Sequence, residues 1–251
     1  MHKDMKRILT LLLVASAFAA CQKETPWVDP DLARFRQTKA NMGILDVVPD
    51  PGTVTKPINF FEKISFWDEW RYIGPIEERF AALERPEYEE LVKDMTTLAL
   101  VKTAVNYPQN TLLYSAWSDK FAVIDWCVKY HAAFRELISR ENAEDILIGA
   151  FVKAKVDPAY LNFDINNPPA PSDPEVIEEL DMLSPGNEKA FSYLMASDYF
   201  DFSKSQYYSS FISATAEKLA EWKSHGYWTN QDPLDLIMKK YTDYTPSKAS
   251  E

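Results

Sequence analysis

Apolar residues recur along most of this chain at the spacing of helix faces. Phe60, Ile64 and Trp67 share one face, and Phe61, Phe66 and Trp70 widen it into a stripe. Pro75 opens a short helix through Ile76, Phe80 and Leu83. Pro86 opens a longer one, in which Tyr88, Leu91, Val92, Met95, Leu98, Ala99, Val101 and Val105 keep the helical period for about six turns until Asn106. The next segment, capped at Asn110 or Ser118, carries Ile124, Cys127, Val128, His131 and Ile138. Asn142 then starts a helix with Ile146, Ala150 and Val152 inward. Beyond a break, Asp173-Pro174 opens a short acidic helix, and Asn187 begins one containing Phe191, Leu194 and Met195. Ser203 caps a longer helix from Tyr207 to Trp222 that stops at Gly226. Asp232-Pro233 launches the last, with Leu234, Ile237, Met238 and Tyr241. The pattern predicts an all-α protein, an irregular multi-helix bundle.

Proline divides this bundle from what precedes it. Residues 21–57 contain Pro26, Pro30, Pro49, Pro51 and Pro57 and read as an extended arm. One short helix is expected inside the arm, with Asp29 as N-cap, Pro30 in its first turn, Leu32 and Phe35 inward and Gly43 as its stop. The globular domain spans 58–251, with a proline- and asparagine-rich linker at 157–173 as its one internal boundary. Helices initiated by proline recur at unequal intervals, so no repeat architecture is implied.

Residues 1–20 have a different character. His2, Lys3, Lys6 and Arg7 precede an apolar run from Ile8 to Ala20 that ends in small residues, the layout of an export signal. The run is too short for the roughly 20 residues that a membrane-spanning helix needs, and polar Gln22, Lys23 and Glu24 follow it directly. Phe18-Ala19-Ala20-Cys21 resembles the lipobox of bacterial lipoproteins, with Phe18 standing where Leu, Val or Ile is usual. The resemblance covers the first 21 residues. It implies cleavage before Cys21, attachment of diacylglycerol to that cysteine and, with Gln22 next to it, sorting to the outer membrane. Two or three acyl chains make such an anchor effectively permanent. Ala17-Phe18-Ala19 also reads as an A-x-A cleavage site, which would release a soluble protein instead.

Removing residues 1–20 takes away three basic residues and one acid, leaving 24 Lys and Arg against 37 Asp and Glu, a net charge of −13. This balance argues against nucleic acid and against adhesion to anionic lipid through a basic patch. It gives a self-repelling, solvated surface. The six glycines are scattered, so the glycine-rich phosphate loops GxGxxG and GxxxxGK[ST] are absent and no cofactor is implied.

Candidate chemistry is thin. Cys127 and His131 stand four residues apart, adjacent on a helix face, but two further metal ligands are not at hand and Cys127 falls on the apolar stripe. With Cys21 lipidated, Cys127 has no disulfide partner and is expected in the core. No GxSxG, SxxK or HExxH signature marks a hydrolase. Asp164, Asn166, Asn167 and Asp173 offer oxygen ligands in the linker without the spacing of a calcium loop. The aromatic content of 14% is high, and Trp27, Tyr227, Trp228, Tyr241 and Tyr244 are the members least tied to a helix face. They form the candidate binding surface. A protein partner comes first, because Tyr and Trp dominate interface energetics. A glycan stacked on the rings is the alternative, and a hydrolase without a linear motif stands third. The expected role is that of a membrane-anchored scaffold, envelope-complex component or inhibitor.

Overall fold

A computed structural model of the chain describes residues 29–36, 38–41, 43–58, 86–106, 119–156, 180–183, 185–224 and 233–245. These residues form an all-α fold. Ten α-helices are described: α1 (Pro30–Phe35), α2 (Ile44–Val47), α3 (Pro86–Lys93), α4 (Thr97–Val105), α5 (Lys120–Tyr130), α6 (Ala132–Ser139), α7 (Ala143–Lys153), α8 (Pro185–Ala196), α9 (Tyr208–Ser224) and α10 (Pro233–Tyr241). Between α7 and α8, β1 (Lys155–Val156) and β2 (Met182–Leu183) form one short parallel pair. A 3-10 turn at Phe202–Lys204 precedes α9.

Helix α7 is the axis of the bundle. Its residues from Ile146 to Val152 are all buried, and a helix that is apolar all round has neighbours on every side. It packs against α2, α4 and α9. Gly149 makes the α2 contact close: a Cβ there would stand 2.7 Å from the Leu45 side chain. The Phe151 ring meets Phe191 of α8 at 5.5 Å and Phe211 of α9 at 5.8 Å, both edge to face. Phe211 continues the cluster to Phe202 and Tyr241. Helix α10 closes this side by packing on both α8 and α9.

The described residues before 58 are part of the same core. Leu32 and Ile44 are completely buried, and α1 lies on α9. Asp29 caps α1 as expected, its Oδ1 accepting from the Asp31 amide at 3.0 Å. The helix stops at Phe35 rather than at Gly43, and a separate turn, α2, begins at Ile44.

Two other expectations change in the same way. The helix expected over 86–105 is broken at Asp94–Thr96. Here Val54 forms a parallel bridge with Met95, the Asp94 carbonyl accepts from the Thr53 and Val54 amides, and the Thr96 amide donates to Val54. Gly52 permits this approach, since a Cβ there would lie 2.6 Å from the Thr96 amide nitrogen. Helix α4 then starts afresh. Thr96 caps it locally, and both oxygens of Asp50 accept from the Thr97 and Leu98 amides at 2.6 and 2.9 Å. The second break falls at His131, whose φ of −123° and ψ of 111° end α5. Its Nδ1 accepts from the Ala133 amide at 3.2 Å, so the residue expected inside one helix caps the next. Asp119, not Ser118, caps α5, and Asp201 rather than Ser203 caps the 3-10 turn before α9.

Candidate functional site

An open groove of about 540 Å³ lies where α5, the end of α8 and α10 meet. Helix spacing places its walls. Phe121, Ile124 and Asp125 occupy one face of α5, and Leu236 and Lys240 stand one turn apart on α10. Ala196 ends α8, and Ser197, Asp198 and Tyr199 form the turn that follows. Phe121, Ile124 and Leu236 make the apolar part of the lining. Phe121 is held by an edge-to-face contact with Tyr193 at 5.7 Å.

The polar rim is organised by two contacts. The Tyr199 hydroxyl donates to Asp125 Oδ1 at 2.9 Å, which fixes the ring although 36% of the residue is exposed. Burial, and then the Asp125 carboxylate, raise its pKa. Lys240 Nζ donates to the Ser197 carbonyl at 2.7 Å, to Asp198 Oδ1 at 2.9 Å and more weakly to the Ala196 carbonyl at 3.4 Å. This ammonium therefore satisfies the carbonyl end of α8, where the helix dipole favours a cation. Its hydrogen bond holds the Asp198 carboxyl below the usual range.

Of the aromatic residues singled out in the sequence, the structure describes two, and it does not place them in this groove. Tyr244 is buried: its hydroxyl donates to Asp29 Oδ2 at 2.8 Å and accepts from Lys223 Nζ at 2.6 Å, and burial followed by the Asp29 bond raises its pKa. It is a brace inside the fold, not a surface platform. Tyr241 is half-buried, with its ring against Phe202, Phe211 and Tyr208 and its hydroxyl donating to the Phe200 carbonyl at 3.3 Å. Cys21, Trp27, Tyr227 and Trp228 lie outside the described residues, as do the oxygen-bearing side chains of the 157–173 linker.

Cys127 is buried, as expected, and burial pushes its thiol up to about 12. The break at His131 turns that imidazole to a capping role, and burial with the nearby Arg135 lowers its pKa to about 3. A neutral thiol and a neutral imidazole, each engaged in the core, supply neither a nucleophile nor a base. Among the described residues no cluster of three or more His, Cys, Asp or Glu side chains is arranged to hold a metal, and no helix is long and apolar enough to cross a membrane.

A second buried ionic group joins α8 to α9. Glu188 accepts from Trp222 Nε1 at 2.9 Å and from Lys218 Nζ at 3.3 Å, while Lys218 also donates to the Ala154 carbonyl at the end of α7. Burial raises the Glu188 pKa against the pull of Lys218. All four partners are tied into helix contacts, so this group staples the core. No protein-family model, curated protein or solved structure matches the chain.

The groove residues Asp125, Asp198, Tyr199, Leu236 and Lys240 carry no signal in the sequence. They come from three stretches, and the pairs that bond lie far apart in sequence, Tyr199 and Asp125 by 74 positions and Lys240 and Asp198 by 42. The 3.6-residue spacing of Phe121, Ile124 and Asp125 points to a helix face but not to what that face meets.

Proposed function

We propose that this chain is a bacterial envelope lipoprotein, held to the outer membrane by acyl chains on Cys21, that acts by binding a protein partner. It serves as a scaffold, a component of an envelope complex or an inhibitor. The N-terminal 21 residues support the anchor, and the groove beside Tyr199 supports the binding role. The groove is the observation on which the role rests: an apolar lining next to a fixed, exposed aromatic residue is how a protein surface receives an anchoring side chain. Its charged groups suit recognition better than turnover. Lys240 is engaged by two carbonyls and a carboxylate, and Asp198 is kept ionised by that same ammonium.

A second reading, glycan binding, is favoured by one feature. Tyr199 is an exposed aromatic residue in the same lining as two carboxylates, Asp125 and Asp198, that can accept from sugar hydroxyls.

Photocrosslinking in the native envelope, with a photoreactive residue in place of Tyr199, tests the choice. A discrete crosslinked protein identified by mass spectrometry supports the first reading. Absence of any protein crosslink, together with binding on a glycan array, reverses the order.

A further inference from the structure

We infer that the groove between α5, α8 and α10 recognises a partner segment in which an arginine or lysine stands beside an aliphatic residue. The inference rests on the reading of the groove as the binding site and adds the chemistry of its occupant.

The lining separates into two parts that match the two parts of such a segment. Phe121 and Leu236, both partly exposed, offer apolar surface at the meeting of α5 and α10, over the buried Ile124. An aliphatic side chain that enters there exchanges water for hydrocarbon on both partners. Around this surface the groups are mostly negative. Asp125 and Asp198 are both exposed carboxylates, and α8 ends at the groove with its carbonyls facing outward from the last turn.

The molecule itself shows what this environment selects. Lys240, the one cation among the described lining residues, is drawn across the end of α8 onto the Ala196 and Ser197 carbonyls and Asp198 Oδ1. That ammonium is engaged by Asp198 and the end of α8, not by Asp125. Asp125 accepts from the neutral Tyr199 hydroxyl and stands exposed to an incoming group. A guanidinium laid on the exposed Tyr199 ring would meet that carboxylate at its edge, combining a cation–π contact with a charge-assisted hydrogen bond. The net charge of −13 after residue 20 draws basic segments toward the surface and repels acidic ones. A neutral glycan gains nothing from this excess of negative charge, and an anionic one is opposed by it.

The test uses the full chain, extracted from its membrane in detergent, and fluorescently labelled synthetic peptides that alternate arginine with leucine. Matched peptides carry glutamate for arginine or serine for leucine, and a neutral oligosaccharide is the further control. Anisotropy titrations should show binding of the arginine–leucine peptide that weakens as salt is raised. Replacing either member of the pair should lose it. Asp125→Asn, which keeps an acceptor for Tyr199 on the protein surface, should weaken binding about tenfold. Asp125→Lys should abolish it, with the circular dichroism spectrum unchanged in both variants. Binding of the oligosaccharide but not of the peptide would overturn the inference, as would peptide binding that both Asp125 variants leave intact. Failure of the peptides while the photoreactive residue at position 199 still captures a protein would reject this chemistry alone. Failure of both would reject the protein-binding reading as well.

Discussion

The Tyr244 hydroxyl donates to the Asp29 carboxylate at 2.8 Å across 215 positions of sequence. Lys223 Nζ donates to the same hydroxyl and stands 3.6 Å from Asp29 Oδ2 and 3.4 Å from Asp235 Oδ1. Two buried carboxylates thus share one lysine, and the phenol bridges between that lysine and Asp29. Asp29 is also the cap of α1, so this contact ties the start of the described chain to its end. Tyr244→Phe keeps the ring against Phe35 and deletes only the bridge. It should lower the free energy of unfolding by about 1–3 kcal/mol, read as a lower urea midpoint at unchanged slope.

Asp50 caps α4 from 47 positions away, accepting from both the Thr97 and Leu98 amides. Asp50→Ala leaves these amides without that acceptor and removes a negative charge from a helix N-terminus. A loss of about 1–2 kcal/mol is expected. Asp50→Asn, which retains one acceptor oxygen, should fall between. Hydrogen exchange at the Thr97 and Leu98 amides should quicken in the alanine variant more than exchange in α9.

Lys218 and Glu188 are nearly buried, with side-chain exposures of 12% and 2%. Lys218→Met strands the carboxylate in the core with Trp222 as its remaining donor in this group, and should cost about 3–5 kcal/mol. Adding Glu188→Gln removes the stranded charge while keeping an acceptor for Trp222. The double variant should therefore recover much of the loss in chemical denaturation. A double variant no more stable than Lys218→Met would show that the ion pair is not what the lysine supports.

His131 makes the pH dependence specific. Its folded pKa of about 3 lies below the unfolded value of 6.5, principally through burial. The unfolded chain takes up this proton near pH 6.5 and the folded chain does not, so stability present above that pH is lost as pH falls toward 3. The slope from this group approaches about 1.4 kcal/mol per pH unit. His131→Asn keeps a side-chain acceptor for the Ala133 amide and removes the titration. Unfolding curves measured from pH 7 to 4 should show a shallower decline for the variant than for the parent chain.

Helix existence was legible where the cause is local. Asp29-Pro30 and Pro233 start helices because capping and proline chemistry act within a few residues, whereas Asn142 stands at the expected start of α7 with its side chain bonded to Thr97 and Pro49 instead of capping it. The breaks at 94–96 and 131 were not legible, since apolar periodicity continues through them. The first is imposed by residues 50–54 docking from a distant part of the chain, and the second by an imidazole turned to cap α6. Tyr244 looked free because its partners, Asp29 and Lys223, lie far away in sequence. The groove stayed hidden for the same reason: Asp125 acquires meaning only beside Tyr199, and Lys240 only at the end of α8. Burial of Cys127 needed no such knowledge, because its place on an apolar stripe already decided it.

The proposed workplace of the molecule depends on the chemistry of Cys21, and the intact mass of the protein purified from its native envelope addresses this directly. A chain beginning at Cys21 and heavier by a diacylglyceryl group, with or without a further acyl chain, is the predicted result. A chain beginning at Ala20, or an unmodified Cys21, would contradict the lipid anchor.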